Sequence, residues 1–279
     1  MAITTLAGLR AARKHRLSHC TATPTGALQG LQFVWKETNY SVDQNGSGPT
    51  LAVLNGQVPV AGDTGYMYLP TPAGSNKLYL SRAEFTNQLT TQHRWELFDC
   101  LFVSGEHSTN GAVTNTYVAP PTSWQSRVSS YDNLEIWIEV VVSTAGGAGP
   151  DLTGSTAIIV DYKDADGVTR ATPSFLIPNV DAGMAYQLPL QAGTKGVSEL
   201  LGYNSSGGTS ATAKINVRLM NPLAWQVYPA YPQATSGAMP MDFLQTGLVE
   251  IHPSAALYFY TSSSTSARAY ENLLEIAEG

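Results

Sequence analysis

The feature that most constrains the fold is a strict alternation of side chains in the middle of the chain. Across residues 133–143 every second residue is aliphatic, and the positions between them include two glutamates and a tryptophan. A period of two is typical of a β-strand, because successive side chains of a strand point to opposite faces of the sheet. The pattern therefore predicts a strand with one buried face, which carries Leu134, Ile136, Ile138, Val140 and Val142.

The segment that follows predicts a hairpin. Residues 157–162 and 168–177 are rich in β-branched and aromatic side chains, and Asp166-Gly167 lies in the short polar stretch between them. Asp-Gly between two such runs favours a tight turn. Asp164, Asp166 and Gly167 also fit the start of a calcium loop, but Phe175 stands at the twelfth position, where such a loop needs a glutamate. A plain hairpin turn explains these residues.

Strand candidates at short spacing extend over the rest of the chain. They cover residues 31–40, 77–87, 94–104, 184–190, 214–220, 247–253, 256–261 and 269–277. The segments 41–65 and 105–132 are rich in turn-forming residues and predict long loops. The sequence thus predicts an all-β protein, a β-sandwich or jelly-roll-like domain with an N-terminal arm and long loops.

We divide the chain into three segments of one domain. Residues 1–24 form a basic arm, residues 25–220 the sandwich core, and residues 221–279 a segment rich in proline and aromatic residues followed by closing strands.

Charged residues make up 13% of the chain and the net charge is −6, whereas about 25% is usual for soluble domains. No apolar run reaches the roughly 20 residues that cross a bilayer, so we expect no membrane partner. The amino terminus has no apolar stretch and cleavage site that would indicate export.

The basic arm is the most biased segment. Arg10, Arg13, Lys14 and Arg16 all precede the first acidic residue, Glu37. Such a cluster in an acidic chain predicts a partner-binding arm, with a neighbouring subunit as the partner and nucleic acid as the less favoured one. A short solvated helix is the alternative, for which Thr4 or Thr5 would be the cap.

Metal and thiol chemistry find little support in the sequence. His15, His19 and Cys20 could hold a metal, but exposed members of the arm explain them more simply. Cys20 and Cys100 are expected to be buried free thiols. We predict no cofactor.

The segment 221–246 interleaves prolines with aromatic residues and methionine, which excludes a regular helix or central strand. Its large apolar side chains must cap the protein's own core or dock on another subunit. The interface candidates are Trp225, Tyr228, Tyr231, Met239, Met241 and Phe243.

Catalytic motifs do not emerge from the sequence. There is no nucleophile elbow, phosphate-binding loop or dinucleotide fingerprint. Glu84, Glu135 and Glu139 could supply paired carboxylates, but the last two are explained as solvated outer-face residues, or as paired across strands with basic residues such as Arg170. The prediction is a protein that is not an enzyme.

Three short motifs resemble structural proteins of tailed bacteriophage virions. They are AITTL at residues 2–6 with Gly8-Leu9 after it, LYLSRAE at residues 78–84, and LQAGTKGV at residues 190–197. The resemblance extends over most of residues 1–220 and includes no catalytic residue.

The resemblance implies a subunit of the head decoration, cement or minor capsid type. Such a protein binds and stabilises the capsid shell, with the major capsid protein or other virion subunits as partners, as a homo-oligomer. Its location would be the virion, assembled in the host cytoplasm. The alternative function is a carbohydrate- or receptor-binding module of a phage tail, with Trp124 or Trp137 stacking on sugar rings.

Overall fold

The computed structural model describes residues 3–21, 33–34, 56–63, 66–67, 69–87, 93–109, 111–141, 156–177, 184–206, 214–228, 237–262 and 270–279. Almost all regular structure in these residues is β, which confirms the predicted fold class. The strands are β1 (Arg13–Thr21), β2 (Phe33–Val34), β3 (Leu78–Asn87), β4 (His93–Val103), β5 (His107–Ser108), β6 (Val113–Thr116), β7 (Glu135–Val141), β8 (Thr156–Lys163), β9 (Thr169–Ala171), β10 (Phe175–Ile177), β11 (Met184–Leu188), β12 (Glu199–Ser205), β13 (Lys214–Tyr228), β14 (Gly237–Met241), β15 (Glu250–Ile251), β16 (Leu257–Ser262) and β17 (Tyr270–Glu278).

Helices are short where the structure describes the chain. They are α1 (Leu6–Ala11), α2 (Phe243–Thr246) and one 3-10 turn (Ser123–Arg127). The Thr5 side chain caps α1, because its Oγ1 accepts a hydrogen bond from Gly8 N at 3.0 Å, as the sequence predicted. No described helix has the length and apolar character needed to cross a membrane.

The largest sheet closes on itself. Its strand order is β4-β16-β2-β11-β7-β13, and β13 pairs in turn with β4, while β5 joins the start of β13. All pairings are antiparallel. β13 is fifteen residues long and pairs with three strands. On one side its first residues pair with β5 and its later residues with β4, while its other side pairs with β7. The closed sheet therefore has an interior and an outer surface.

The interior of the closed sheet is filled by large side chains. Its apolar and aromatic members are Tyr66, Phe98, Cys100, Trp137, Ala185, Met220, Ala256, Tyr258 and Tyr260. Trp137 and Tyr260 stack with ring centroids 4.7 Å apart, and Phe98 meets both rings edge-on. Such aromatic pairs add stability beyond the area they bury. Cys100 is a free buried thiol, as predicted.

Two further sheets cover the outer surface. One has the order β10-β8-β12-β6 with β9 beside β8, and the other has the order β1-β17-β3-β14 with β15 beside β3. The first packs on the aliphatic side chains of β7 and β13, including Ile138 and Val217, and the second packs on β4 and β16 through Leu97 and Phe259. Three sheets thus share two apolar layers and one enclosed interior.

Strand β7 does not match its prediction on one of its two faces. Leu134, Ile136, Ile138 and Val140 are buried as expected, but Trp137 and Glu139 on the other face are also buried, at 1% exposure each. The reason is closure, since the second face of β7 points into the interior of the closed sheet. The solvated outer face that the sequence predicted for Glu139 is therefore wrong.

The predicted hairpin is present between β8 and β9. Asp164 Oδ1 accepts hydrogen bonds from the backbone N–H groups of Asp166 and Val168, and Gly167 takes a φ of 78°. The second predicted run divides into β9 and β10, which pair with different parts of β8. Arg170 pairs with Asp164 at 3.0 Å rather than with Glu135 or Glu139.

Prolines did not exclude strands from the segment after residue 220. Pro222 lies within β13, where the register with β4 shifts between Pro222 and Ala224. Pro240 lies in β14 at the end of its sheet. A bulge and an edge strand both tolerate a residue without an N–H group, which is why the sequence prediction was wrong for this segment.

Candidate functional site

The four predicted arm cations lie together at one edge of a sheet. Arg13, Lys14 and Arg16 belong to β1 and Arg10 to the last turn of α1, and all four are exposed. We call these four residues the basic edge. β1 pairs with β17 from Arg13 to Thr21, so this segment is a strand of the sheet rather than a free arm. Within the described part of the chain, the other side of β1 pairs with no strand.

The inward face of β1 explains why two of the cations, Lys14 and Arg16, point outward. Leu17 packs against the apolar layer beneath the sheet, and His15 Nε2 lies 2.7 Å from Glu278 Oε2. Alternation along the strand then directs Lys14 and Arg16 to the opposite face. Arg16 is 74% exposed at its side chain and lies 3.8 Å from Glu275.

Glu278 anchors the inward side of this edge. Its Oε1 accepts hydrogen bonds from Ala73 N at 2.6 Å and Asn76 Nδ2 at 3.2 Å, while Oε2 faces His15. The backbone hydrogen bond from Ala73, followed by the bonds from the His15 and Asn76 side chains, lowers the pKa of Glu278 to about 2. The carboxylate thus holds three segments together beneath the basic edge.

Metal binding at His15 and His19 gains no support from the geometry. His15 turns inward to Glu278, and His19 lies on the same strand with no described side chain. Among the residues that the structure describes, no group of three His, Cys, Asp or Glu side chains is placed to hold a metal ion.

A second exposed region is a groove beside Trp225. It has a volume of about 610 Å³ and runs between the entry to β7, the turn after β11 and the middle of β13. A second cavity of about 450 Å³ shares Asn133, Pro222 and Leu223 with it and continues it past the 3-10 turn. We call the two cavities together the Trp225 groove.

Trp225 stands at one wall of this groove with 61% of its surface exposed. It lies in β13 opposite Glu96 of β4, just beyond the register shift at Pro222. Trp225 is therefore the one of the predicted interface candidates that the structure shows as strongly exposed.

The remaining interface candidates have different placements. Met241 is buried at 7% exposure within the protein's own apolar layer, and Phe243 is half-buried in α2. Tyr228 and Met239 lie in β13 and β14, and their side chains are outside the described structure, as is all of Tyr231. Met241 thus caps the protein's own core, one of the two outcomes left open by the sequence.

The tryptophans proposed for sugar stacking are both buried. Trp124 is 2% exposed and packs edge-on against Tyr131, and Trp137 is 1% exposed and donates a hydrogen bond from Nε1 to Glu135 Oε2 at 2.8 Å. Neither ring can meet a sugar from solvent, so this part of the alternative prediction is wrong.

The sequence left open a cross-strand pair between Glu139 and a basic residue, and the structure forms it inside the closed sheet with Arg218, a partner that the sequence did not identify. Arg218 Nη2 lies 2.6 Å from Glu139 Oε2, with both side chains no more than 2% exposed. Arg218 is the neighbour of Trp137 across the β7–β13 ladder, so the pair is diagonal between strands. Arg218 Nη1 also donates to Tyr66 Oη at 2.8 Å, and its guanidinium lies 4.5 Å from the centroid of the Tyr258 ring.

Electrostatics inside the closed sheet keep Arg218 charged. Burial is the largest influence and disfavours the cation, but attraction to the Glu139 carboxylate together with that of Tyr66, Tyr258 and Tyr260 outweighs burial and raises the pKa of Arg218. Burial also raises the pKa of Tyr66 and of Tyr260. Both tyrosines therefore remain neutral beside the ion pair, and Tyr66 accepts a hydrogen bond from Arg218.

A second buried pair joins Arg127 to Asp99. Arg127 donates to both Asp99 oxygens and to the carbonyl of Pro59 at 2.6 Å, and Asp99 Oδ1 also accepts from Ala256 N at 2.9 Å. Burial lowers the pKa of Arg127 to about 10. This pair fixes the 3-10 turn to β4, and Arg127 also lines the second cavity of the Trp225 groove.

Comparison with known proteins gives no family assignment. No protein-family model matches the chain, and no curated protein matches it. Among solved structures, the Gt strain of infectious bursal disease virus matches with a TM-score of 0.20 at 9% identity, covering 96% of this chain and 81% of that one. The VP2 subviral particle of the same virus matches with a TM-score of 0.20 at 10% identity, covering 95% of this chain and 80% of that one. Likeness at this level carries no argument about fold or function.

Proposed function

We propose that this protein is a structural subunit of a virus particle that binds neighbouring shell subunits, of the decoration, cement or minor head type found on tailed bacteriophages. The observation that carries the proposal is the basic edge. It combines an exposed strand edge with four clustered cations on a chain whose net charge is −6. The role includes no catalysis.

An exposed strand edge is a template for pairing with another chain. Charged side chains along such an edge can serve to prevent that pairing, and one or two would suffice. Four cations in an otherwise acidic protein favour a different use, since they attract an acidic partner surface and fix its orientation. Another copy of this chain or an acidic capsid subunit meets that requirement.

The motifs that resemble phage structural proteins occupy positions that shape the fold. Residues 78–84 lie in β3, between β17 and β14 in its sheet, and residues 190–197 form the turn after β11. In that turn Gly196 has a φ of 46°, and a Cβ there would lie 1.6 Å from the Tyr131 carbonyl oxygen. Two of the three motifs therefore lie at positions on which this fold depends.

Buried ionisable groups support a role without catalysis. The pairs Arg218–Glu139 and Arg127–Asp99 each join separate strands or loops and are enclosed by packed side chains. Groups committed to such pairs stabilise a rigid subunit, which is what a shell needs.

The proposal is tested by removing positive charge from the basic edge and measuring assembly. Replacing Arg13, Lys14 and Arg16 together by Gln removes the cations but keeps the strand. We expect the variant to lose oligomers in mass photometry and to lose incorporation into virus particles, while its circular dichroism spectrum stays unchanged.

The matched control changes three cations elsewhere by the same total charge. The control variant carries Arg82→Gln, Lys163→Gln and Lys214→Gln. These three cations lie on other strands, and each pairs with one partly buried glutamate. If both triple variants assemble like the original, the basic edge has no role in assembly. If antibody against the protein labels no intact particle, the virion location itself is wrong.

A further inference from the structure

The Trp225 groove has the chemistry of a carbohydrate site. We propose that it binds short, uncharged oligosaccharides, with the exposed face of Trp225 as the stacking platform. This inference goes beyond the assembly role and does not depend on it.

The size of the groove suits a small extended ligand. Its main cavity of about 610 Å³ falls within the roughly 300–1,000 Å³ typical of ligand sites. The second cavity adjoins it, because Asn133, Pro222 and Leu223 line both. Two adjoining cavities offer room for more than one linked ring.

Trp225 is unusual among the tryptophans whose side chains are described. Trp124 and Trp137 are almost fully buried, whereas Trp225 exposes 61% of its surface. A large aromatic ring kept in water at a groove wall offers an apolar face to a partly apolar ligand. A sugar ring presents such a face with its C–H groups, while its hydroxyls point sideways.

Polar groups line the wall across from the tryptophan. Asp132 and Asn133 lie at the entry to β7, and Thr194 and Lys195 lie in the turn after β11. This set offers both donors and acceptors, as the hydroxyl groups of a sugar require.

The same wall is rigid. Tyr131 carbonyl oxygen accepts hydrogen bonds from both Leu134 N and Val197 N, and Thr194 Oγ1 donates to the Gln191 carbonyl at 2.7 Å. The Tyr162 hydroxyl lies 3.1 Å from Thr194 Oγ1 and accepts from Gln191 N. A wall fixed before binding loses little conformational entropy when a ligand arrives.

The charged residues that line the groove indicate which class of ligand can stack on Trp225. The main cavity is lined by two carboxylates, Asp132 and Glu135, and one ammonium group, Lys195. In the continuing cavity Lys77 lies 2.8 Å from Glu250, and Arg127 is paired with Asp99. The slight excess of carboxylates disfavours nucleic acid, whose phosphates need cations, and disfavours acidic sugars.

The experiment uses the full-length protein and a printed array of oligosaccharides. The array contains uncharged oligomers of glucose, galactose, mannose and N-acetylglucosamine beside sialylated and uronic-acid oligomers. We expect binding to one uncharged series, and isothermal titration with that oligomer should show an affinity loss on the order of ten- to a hundredfold in Trp225→Ala, by analogy with base stacking on aromatic residues.

The matched control is Leu244→Ala, which removes another large exposed apolar side chain, 76% exposed, outside the groove. It should bind like the original protein. The thermal midpoint of each variant, measured beside that of the original protein, separates lost binding from lost folding.

Three results overturn the proposal. They are no binding to any uncharged oligomer, binding only to acidic oligomers, and equal binding by the Trp225→Ala variant. A peptide of residues 10–17, RAARKHRL, serves as a competing probe. If that peptide alone protects Trp225 from acrylamide quenching, the groove receives the basic edge of a second copy instead of a sugar.

Discussion

Two arginine-containing regions of this protein use charge in opposite ways. Arg218 lies inside the closed sheet at 0% exposure, with Glu139, Tyr66 and Tyr258 around it. The basic edge keeps its cations in water on a strand whose second side is open among the described residues. The first arrangement fixes the fold, whereas the second leaves charge accessible to a partner. Arg218 is buried and held by several contacts, so its charge serves the fold. The cations of the basic edge are exposed, so their charge can serve recognition of a partner.

The largest expected effect lies inside the closed sheet. Arg218→Met removes one member of the buried pair and leaves the Glu139 carboxylate without its cation. We expect the free energy of unfolding in urea to fall by about 3–5 kcal/mol. The double variant Arg218→Met with Glu139→Gln should recover most of that loss. If Arg218→Met lowers the free energy of unfolding by less than about 1 kcal/mol, the buried pair contributes no more than an ordinary contact. Its contrast with the basic edge would then disappear.

An intermediate effect lies at Glu278, under the basic edge. Its pKa is held near 2 in the folded protein, below its ordinary value of 4.5. A depressed pKa contributes stability that is present above the ordinary value and is lost as the pH falls towards the folded value. The thermal midpoint of the original protein should therefore drop between about pH 5 and pH 2. Glu278→Gln should lower the midpoint at neutral pH and flatten this acid-dependent drop, and parallel curves for the two proteins would contradict the assignment.

The smallest effect is expected on the outward face of β1. Lys14→Ala with Arg16→Ala should change the free energy of unfolding of the isolated subunit by no more than about 0.5 kcal/mol, because exposed cations contribute little to folding. Leu17→Ala on the inward face of the same strand should cost about 1 kcal/mol or more. A large loss in the double variant would show that the basic edge is structural after all.

Local patterns allowed much of the fold to be predicted. The alternation around β7, the Asp-Gly turn after β8 and the Thr5 cap are interactions between residues close in sequence, and each is present. The all-β class follows from them. Closure of the sheet is different, because it depends on β13 pairing with β4, strands that are far apart in the chain.

The missed features share that cause. Glu139 looks like a surface residue in the sequence because its partner, Arg218, comes from a distant strand. Trp225 and Trp137 cannot be distinguished by residue type either, yet one is exposed and the other enclosed. The basic edge was recognised from composition, but its position on a strand was not, because His15 faces Glu278 only once β1 and β17 are paired.

The order of strands in the closed sheet has a consequence for how the chain folds. β16 lies between β4 and β2, so the ring cannot close until residues 257–262 have been synthesised. Until then β4 and β2 each lack a neighbour, and their edges are open to wrong partners. A topology dominated by such distant pairings folds on a timescale of roughly milliseconds to seconds. Crowded synthesis of many copies would therefore expose unfinished rings to one another, and chaperone binding before β16 emerges should raise the yield of folded protein.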